Sequence, residues 1–258
     1  MRRALVLAAV LAFAPVPAYA QEPPAPPAAG PEVDAARLED PNLDRCFFLP
    51  TAETQPQGAL AFNNYELLFL GLSYGVTDRF QVTGTALAPI VTGMPTLFLG
   101  NVKYQALRSG SVRLALTAGF GYVGEETFDT PDSSSSGVFA GAVASRCLSE
   151  DCHSLASFSL SAGRGFSDDD DADGLGLAFG GSLVKRVSRR TKLLFEVVSG
   201  ASFDPAFEML PGALLSYGIR FFGSDIAGDV GFVRPVGEDT GEFLLGLPFI
   251  NFTYRWRP

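Results

Sequence analysis

The chain has 258 residues and a formal net charge of −9 at pH 7, and its 19 lysines and arginines form no basic stripe. That balance argues against nucleic acid as a partner. With 28 glycines, 22 phenylalanines and only 18% charged residues, the composition is unusual for a water-soluble domain.

Met1 to Ala20 carries Arg2 and Arg3, an apolar run from Ala4 to Phe13, and Ala18-Tyr19-Ala20 before Gln21. This is the pattern of a secretory signal peptide, residues 1–20, with a small-x-small cleavage site. Its removal, with two positive charges, takes the formal charge from −9 to −11. The apolar run is too short for a membrane-spanning helix, and no later segment has the unbroken apolar length of one. Gln21 to Pro31 is a Pro/Ala tract with nothing to bury, so residues 21–43 read as a disordered linker, although Val33 to Asp44 can make a short helix. Residues 44–57 read as an N-terminal periplasmic segment. Within it Asp44 to Thr51, with CFFLP at its centre, is either an added strand or a segment tucked against the mouth of the domain that follows.

From Gly58 the chain breaks into strand-length units separated by turn chemistry. Strands are expected at 58–65, 67–77, 79–88, 95–107, 111–123, 137–147, 154–164, 174–187, 190–202, 211–222, 226–235 and 242–257, twelve in all. Tight polar turns at Thr77–Arg79, Arg108–Gly110, Ser188–Arg190 and Gly223–Asp225 alternate with longer polar loops at Gly124–Ser136, Gly165–Asp173, Phe203–Leu210 and Val236–Gly241. Leu148 to His153 is the one longer link among the tight turns. Along the strands one face is bulky and apolar. Val112, Leu114, Leu116, Phe120 and Tyr122 oppose Arg113, Thr117, Gly119 and Gly121, and Leu193, Phe195 and Val197 oppose Lys192 and Glu196, because successive side chains point to opposite faces. Glycine and serine dominate the polar face. That favours lipid outside a cylinder whose lumen is lined by small residues. The polar face also carries Lys103, Arg113, Lys192, Glu196, Arg220, Asp229 and Arg255. Charges there either pair into a rigid network or line a wet pathway.

The last strand alternates strictly, with Ile250, Phe252, Tyr254 and Trp256 against Asn251, Thr253, Arg255 and Arg257. It resembles the closing strand of bacterial outer-membrane β-barrels, whose aromatic residues sit at the membrane boundary. Leu72-Ser73-Tyr74-Gly75-Val76-Thr77-Asp78-Arg79-Phe80 is similar to a hairpin seen in many such barrels. The resemblance implies an all-β fold: a single up-and-down antiparallel transmembrane barrel of about twelve strands over residues 58–258, in the outer membrane of a Gram-negative cell. It implies as partners outer-membrane lipid, lipopolysaccharide and the barrel-assembly machinery, a monomeric state, and lipid contact for Phe252, Tyr254 and Trp256.

Three cysteines occur, Cys46, Cys147 and Cys152. In an oxidising compartment Cys147 and Cys152 can bridge across a short turn, or Cys46 can take one of them. Asp169, Asp171 and Asp173 open a D-x-D-x-D-G sequence, but its twelfth position is Gly180 instead of glutamate, so it is no EF-hand. A weak surface site for divalent cations stands beside an ordinary solvated acidic loop. His153 is the only histidine. It lies in the longer turn, away from a serine on the opposite rim, which argues against a Ser/His hydrolase. The expectation is therefore no enzyme and no cofactor: a barrel with a narrow polar lumen, serving as a passive channel or uptake pore for small solutes. The alternatives are a non-conducting structural or surface-binding barrel with acidic loops and, further off, an outer-membrane hydrolase or a soluble secreted sandwich.

Overall fold

A computed structural model describes residues 39–87, 95–125, 133–167, 174–202, 212–237 and 245–257. Residues 1–38, most of the long loops, and the acidic run with Asp169, Asp171 and Asp173 lie outside the described residues. Twelve strands run β1 Leu60–Tyr65, β2 Phe69–Thr77, β3 Phe80–Leu87, β4 Thr96–Ser109, β5 Val112–Glu125 and β6 Ser133–Cys147, then β7 Leu155–Ser167, β8 Gly174–Arg186, β9 Thr191–Ser202, β10 Ala213–Phe222, β11 Ile226–Val236 and β12 Leu247–Trp256. Each pairs antiparallel with its sequence neighbours, and β1 also pairs with β12, Leu60 opposite Trp256 and Tyr65 opposite Asn251. The cylinder is closed, as expected from the twelve strand-length units. Closure leaves no strand edge without a partner.

Strands β4 to β9 have 12 to 15 residues. With a rise of about 3.3 Å per residue and a tilt near 40°, they climb roughly 30–38 Å, enough to cross an apolar band of about 25 Å. β6 begins at Ser133, four positions before the expected start at Gly137, and β12 begins at Leu247 instead of 242. Polar serines at the top of β6 carry no apolar alternation, so the pattern could not find that extension. Register shifts between Gly75 and Thr77 and between Gln105 and Leu107 bend β2 and β4 near the tight-turn end.

Alternation around the cylinder puts bulk outside. Leu72, Leu116, Phe158, Phe195, Ile219, Ile250 and Phe252 are exposed outward. Ser73, Gln81, Ala115, Ser145, Ser182, Ser216 and Asn251 face inward and are buried.

The N-terminal segment is the main departure from the sequence reading. Residues 39–57 belong neither to a disordered linker nor to a segment outside the barrel. They enter the cylinder at its tight-turn end and fill that half of it. Asp40, Asn42, Asp44, Cys46, Phe47, Thr51, Ala52 and Gln55 are all buried. No helix forms over Glu39–Asp44, which runs through turns. Asn42 N donates to Asp40 Oδ1 at 2.9 Å, and short polar side chains that bond their own backbone favour turns over helix. A small hairpin follows, closed by Cys46 N to Leu49 O and Thr51 N to Asp44 O, both 2.9 Å, with Phe47 to Leu49 at its tip. Residues that read as linker are ordered because the cylinder offers them partners that water outside does not.

Candidate functional site

The site is the contact between this plug and the inner wall, and it is built mostly from charge. Arg220 on β10 is wholly buried. Its Nε and Nη2 donate to Asp229 at 2.6 and 2.9 Å, a fork that fixes the guanidinium plane. Its Nη1 donates to Asp40 Oδ2 at 3.1 Å and to the carbonyls of Asn42 at 2.8 Å and Arg45 at 3.2 Å. Nη2 also donates to the carbonyl of Cys46. One side chain thus holds four plug residues. Lys192 on β9 closes on the same carboxylate, Nζ to Asp40 Oδ2 at 2.7 Å. Burial disfavours a charged Asp40, but Arg220 and Lys192 outweigh it and hold that carboxyl below the usual carboxylate range. Arg255 on β12 donates to the carbonyl of Glu39 at 2.9 Å where the chain enters.

Across the lumen Lys103 on β4 donates to the carbonyls of Asp44 at 2.9 Å and Thr51 at 3.2 Å. Gln81 on β3 donates to Asp44 Oδ2 at 2.7 Å. Burial acts against ionised Asp44, yet Arg45, Lys103 and the Gln81 hydrogen bond together lower its pKa. Arg45 points from the plug to Asn42, Asn63 and the Tyr65 hydroxyl. Gln105 donates to the carbonyl of Ala52 at 2.8 Å, Ser145 accepts from the Ala52 amide at 2.8 Å, and Arg113 meets Glu53 at 3.2 Å.

The hairpin tip is caught differently. The Glu196 carboxylate on β9 accepts the amides of Phe47 at 3.2 Å, Phe48 at 3.2 Å and Leu49 at 2.9 Å. Three consecutive amides converging on one carboxylate make an anion-binding backbone nest, with the anion supplied by the wall. Glycines let the tip come close. A side chain at Gly180 would meet Leu49 at 2.6 Å, and one at Gly231 would meet Phe47 at 2.9 Å. Phe47 also packs edge-to-face on Phe249, ring centroids 5.5 Å apart.

Among the described residues, each one singled out in the sequence has a definite place. Lys103, Arg113, Lys192, Glu196, Arg220, Asp229 and Arg255 are all buried on the inner face. Six of the seven touch the plug directly; Asp229 reaches it through Arg220. Cys147 and Cys152 are disulfide-bonded, and Cys46 is a free, buried thiol under the hairpin. Its pKa is pushed up by burial and by Glu196. Glu53 lies beside the Cys147–Cys152 pair, but both sulfurs are committed to each other and offer no thiolate to a metal. His153, at the turn, sits 3.9 Å from Asp151, and burial lowers its pKa. Phe252 and Trp256 are exposed outward, and Tyr254 stacks edge-to-face on Trp256 at 4.5 Å. The sequence reading missed the plug's own groups, Asp40, Asn42, Asp44 and Arg45, and the wall amides Gln81 and Gln105. The available signal was the polar run Glu39–Arg45 between a Pro/Ala tract and an apolar CFFLP, too short to be a domain and too charged to be a strand.

A closed antiparallel cylinder that exposes leucine, phenylalanine and isoleucine outward while burying arginine, lysine and glutamate inward is stable only with lipid outside. The chain is an outer-membrane β-barrel. No family model matches this barrel, and no curated protein matches its sequence. Among solved structures it is similar to LpxR from Salmonella typhimurium, with 10% identity, 77% of this chain and 98% of that one covered, and a TM-score of 0.39. It is also similar to CdiB from Escherichia coli, at 9% identity over 83% and 69% of the two chains with a TM-score of 0.42. A third is OmpT of Vibrio cholerae, at 16% identity over 73% and 64% with a TM-score of 0.38. The expectation of no enzyme is corrected here. A lone histidine in a turn does not decide the point, because nucleophiles and bases other than histidine also serve enzymes.

Proposed function

We propose that this barrel is a gated pore, closed at rest by its own residues 39–57 and conducting small solutes only when that plug moves. The observation that carries the reading is the use made of the lumen charges. The groups that would line an open polar pathway are spent on the plug instead, Arg220 alone holding Asp40, Asn42, Arg45 and Cys46. A passive, permanently open channel would leave such groups to water and ions. The plug is also held by many small polar contacts on eight strands, β1, β3, β4, β5, β6, β9, β10 and β12, not by one packed hydrophobic face. Polar contacts of this kind can be exchanged for water when the segment is drawn out.

Planar-bilayer recording of the full chain tests this. The expected record for the wild-type protein is a closed baseline with rare openings, and Glu196→Ala should convert it to frequent or sustained conductance. Sustained conductance from the wild-type protein would show that the plug does not close the lumen. Silence from both proteins would show that the lumen does not open, and would leave the non-conducting structural or surface-binding reading in its place.

A further inference from the structure

Above the plug, toward the long-loop end, the lumen holds a cavity of about 520 Å³. We infer that it is a binding site for a neutral amphiphile: a mainly apolar chain or ring body carrying hydroxyl, carbonyl or ester groups. The inference rests on the seated plug, because the plug supplies the floor.

The floor is apolar. Phe48, Leu49 and Pro50 at the hairpin tip form it, with Tyr65 and Phe69 beside them. Phe48 is 50% exposed and Leu99, from the wall of β4, is 43% exposed, although both point into the barrel and not toward lipid. Apolar surface left facing a wet lumen is costly at about 25 cal/mol per Å², and an apolar ligand removes that cost. The walls above mix apolar residues, Leu99, Phe139, Val143 and Val198, with polar but uncharged ones. Thr85, Asn101, Thr117 and Ser159 reach the cavity, and their side chains have no hydrogen-bond partner among the described residues. The charged groups at the lower margin are already engaged: Lys103 by two plug carbonyls, Asp44 by Gln81 and Gln55, Arg45 by Asn42, Asn63 and Tyr65. A charged ligand would have to break those contacts; a neutral one finds free hydroxyl and amide groups. The volume lies within the roughly 300–1,000 Å³ usual for small-molecule sites, which combine apolar lining with a few convergent polar groups.

The test uses the full-length protein in phosphatidylcholine nanodiscs and a monolaurin bearing a diazirine on its acyl chain. After irradiation, cross-links should map to the hairpin tip and to inward residues such as Leu99 and Phe139, and excess unlabelled monolaurin should compete them away. Leu99→Trp, which fills the cavity, should lower that labelling on the order of tenfold, the equivalent of about 1.4 kcal/mol in binding. Labelling confined to outward residues such as Phe158 and Phe195 would overturn the site. Laurate anion competing better than monolaurin would overturn the ligand class. Cys46 reactivity toward a maleimide, read in the same sample, separates the two readings. A protected Cys46 without inward cross-links sinks the cavity site alone, and a freely reactive Cys46 means the plug is not seated and sinks the gated barrel as well.

Discussion

Glu196, on the inner wall of β9, accepts the backbone amide of Leu49 at 2.9 Å, 147 positions earlier in the chain. With the amides of Phe47 and Phe48 on the same carboxylate, this contact holds the hairpin tip at mid-barrel. Replacing Glu196 by Ala leaves the buried amide of Phe47 and the part-buried amides of Phe48 and Leu49 without an acceptor, and hydrogen bonds to a charged group contribute about 1.5–3 kcal/mol each. Cys46, fully buried beneath the tip, should then react with maleimide at least about tenfold faster in the folded protein, the equivalent of about 1.4 kcal/mol in opening. Unchanged protection would mean that the tip is held by Phe47 packing alone.

Arg220 and Lys192 share Asp40, but unequally. Arg220→Met takes from Asp229 its cationic partner and from three plug carbonyls their donor, leaving Asp40 to Lys192 alone, and breaking a buried pair from one side costs about 3–5 kcal/mol. Lys192→Met leaves Asp40 its contact with Arg220 and should cost distinctly less. Urea unfolding in detergent, followed by circular dichroism, reads both; equal losses would show that Arg220 is not the organising group.

Acid should loosen the plug. Asp40 and Asp44 are both held below the usual carboxylate range, the first by Arg220 and Lys192 and the second by Arg45, Lys103 and Gln81, against the opposing effect of burial. A depressed folded pKa gives stabilisation that is complete above the unfolded value, near 4, and lost as pH falls through the folded value. Thermal stability should therefore fall as pH drops below about 4. Asp40→Asn should be less stable at pH 7 and show a shallower acid loss. A parallel acid loss in wild type and variant would remove Asp40 from the account.

Phe195 and Glu196 are consecutive and face opposite ways, lipid and lumen. Phe195→Arg places a charge in the apolar band at a cost of about 2–4 kcal/mol. It should reduce the heat-resistant folded band on unboiled gels, while Cys46 in the remaining folded fraction stays protected. Loss of Cys46 protection there would mean the two faces are coupled.

Much of the barrel was legible in the chain because period-two alternation is a local property. Leu193, Phe195 and Val197 against Lys192 and Glu196 declare two faces without any knowledge of the partner strand. The turns around Asp78, Gly110 and Ser224 declare where each strand ends, and twelve such units leave both chain ends on one rim. The destination of the lumen charges was not legible. Lys192, Glu196, Arg220 and Asp229 read equally well as a wet pathway or a rigid network, since a sequence shows that a charge points inward but not what meets it. Asp40, Asn42 and Asp44 carry no periodic signal, and alone in water their segment buries nothing. Only closure of the cylinder brings Asp40 within reach of Lys192 and Arg220, 152 and 180 positions away. It also sets the glycines of β8, β10 and β11 where Leu49 and Phe47 can dock. The sequence by itself determined a closed barrel with lipid outside, because alternation and turn chemistry act between near neighbours. The tertiary structure decided that its lumen is filled, because that depends on charges meeting across the barrel.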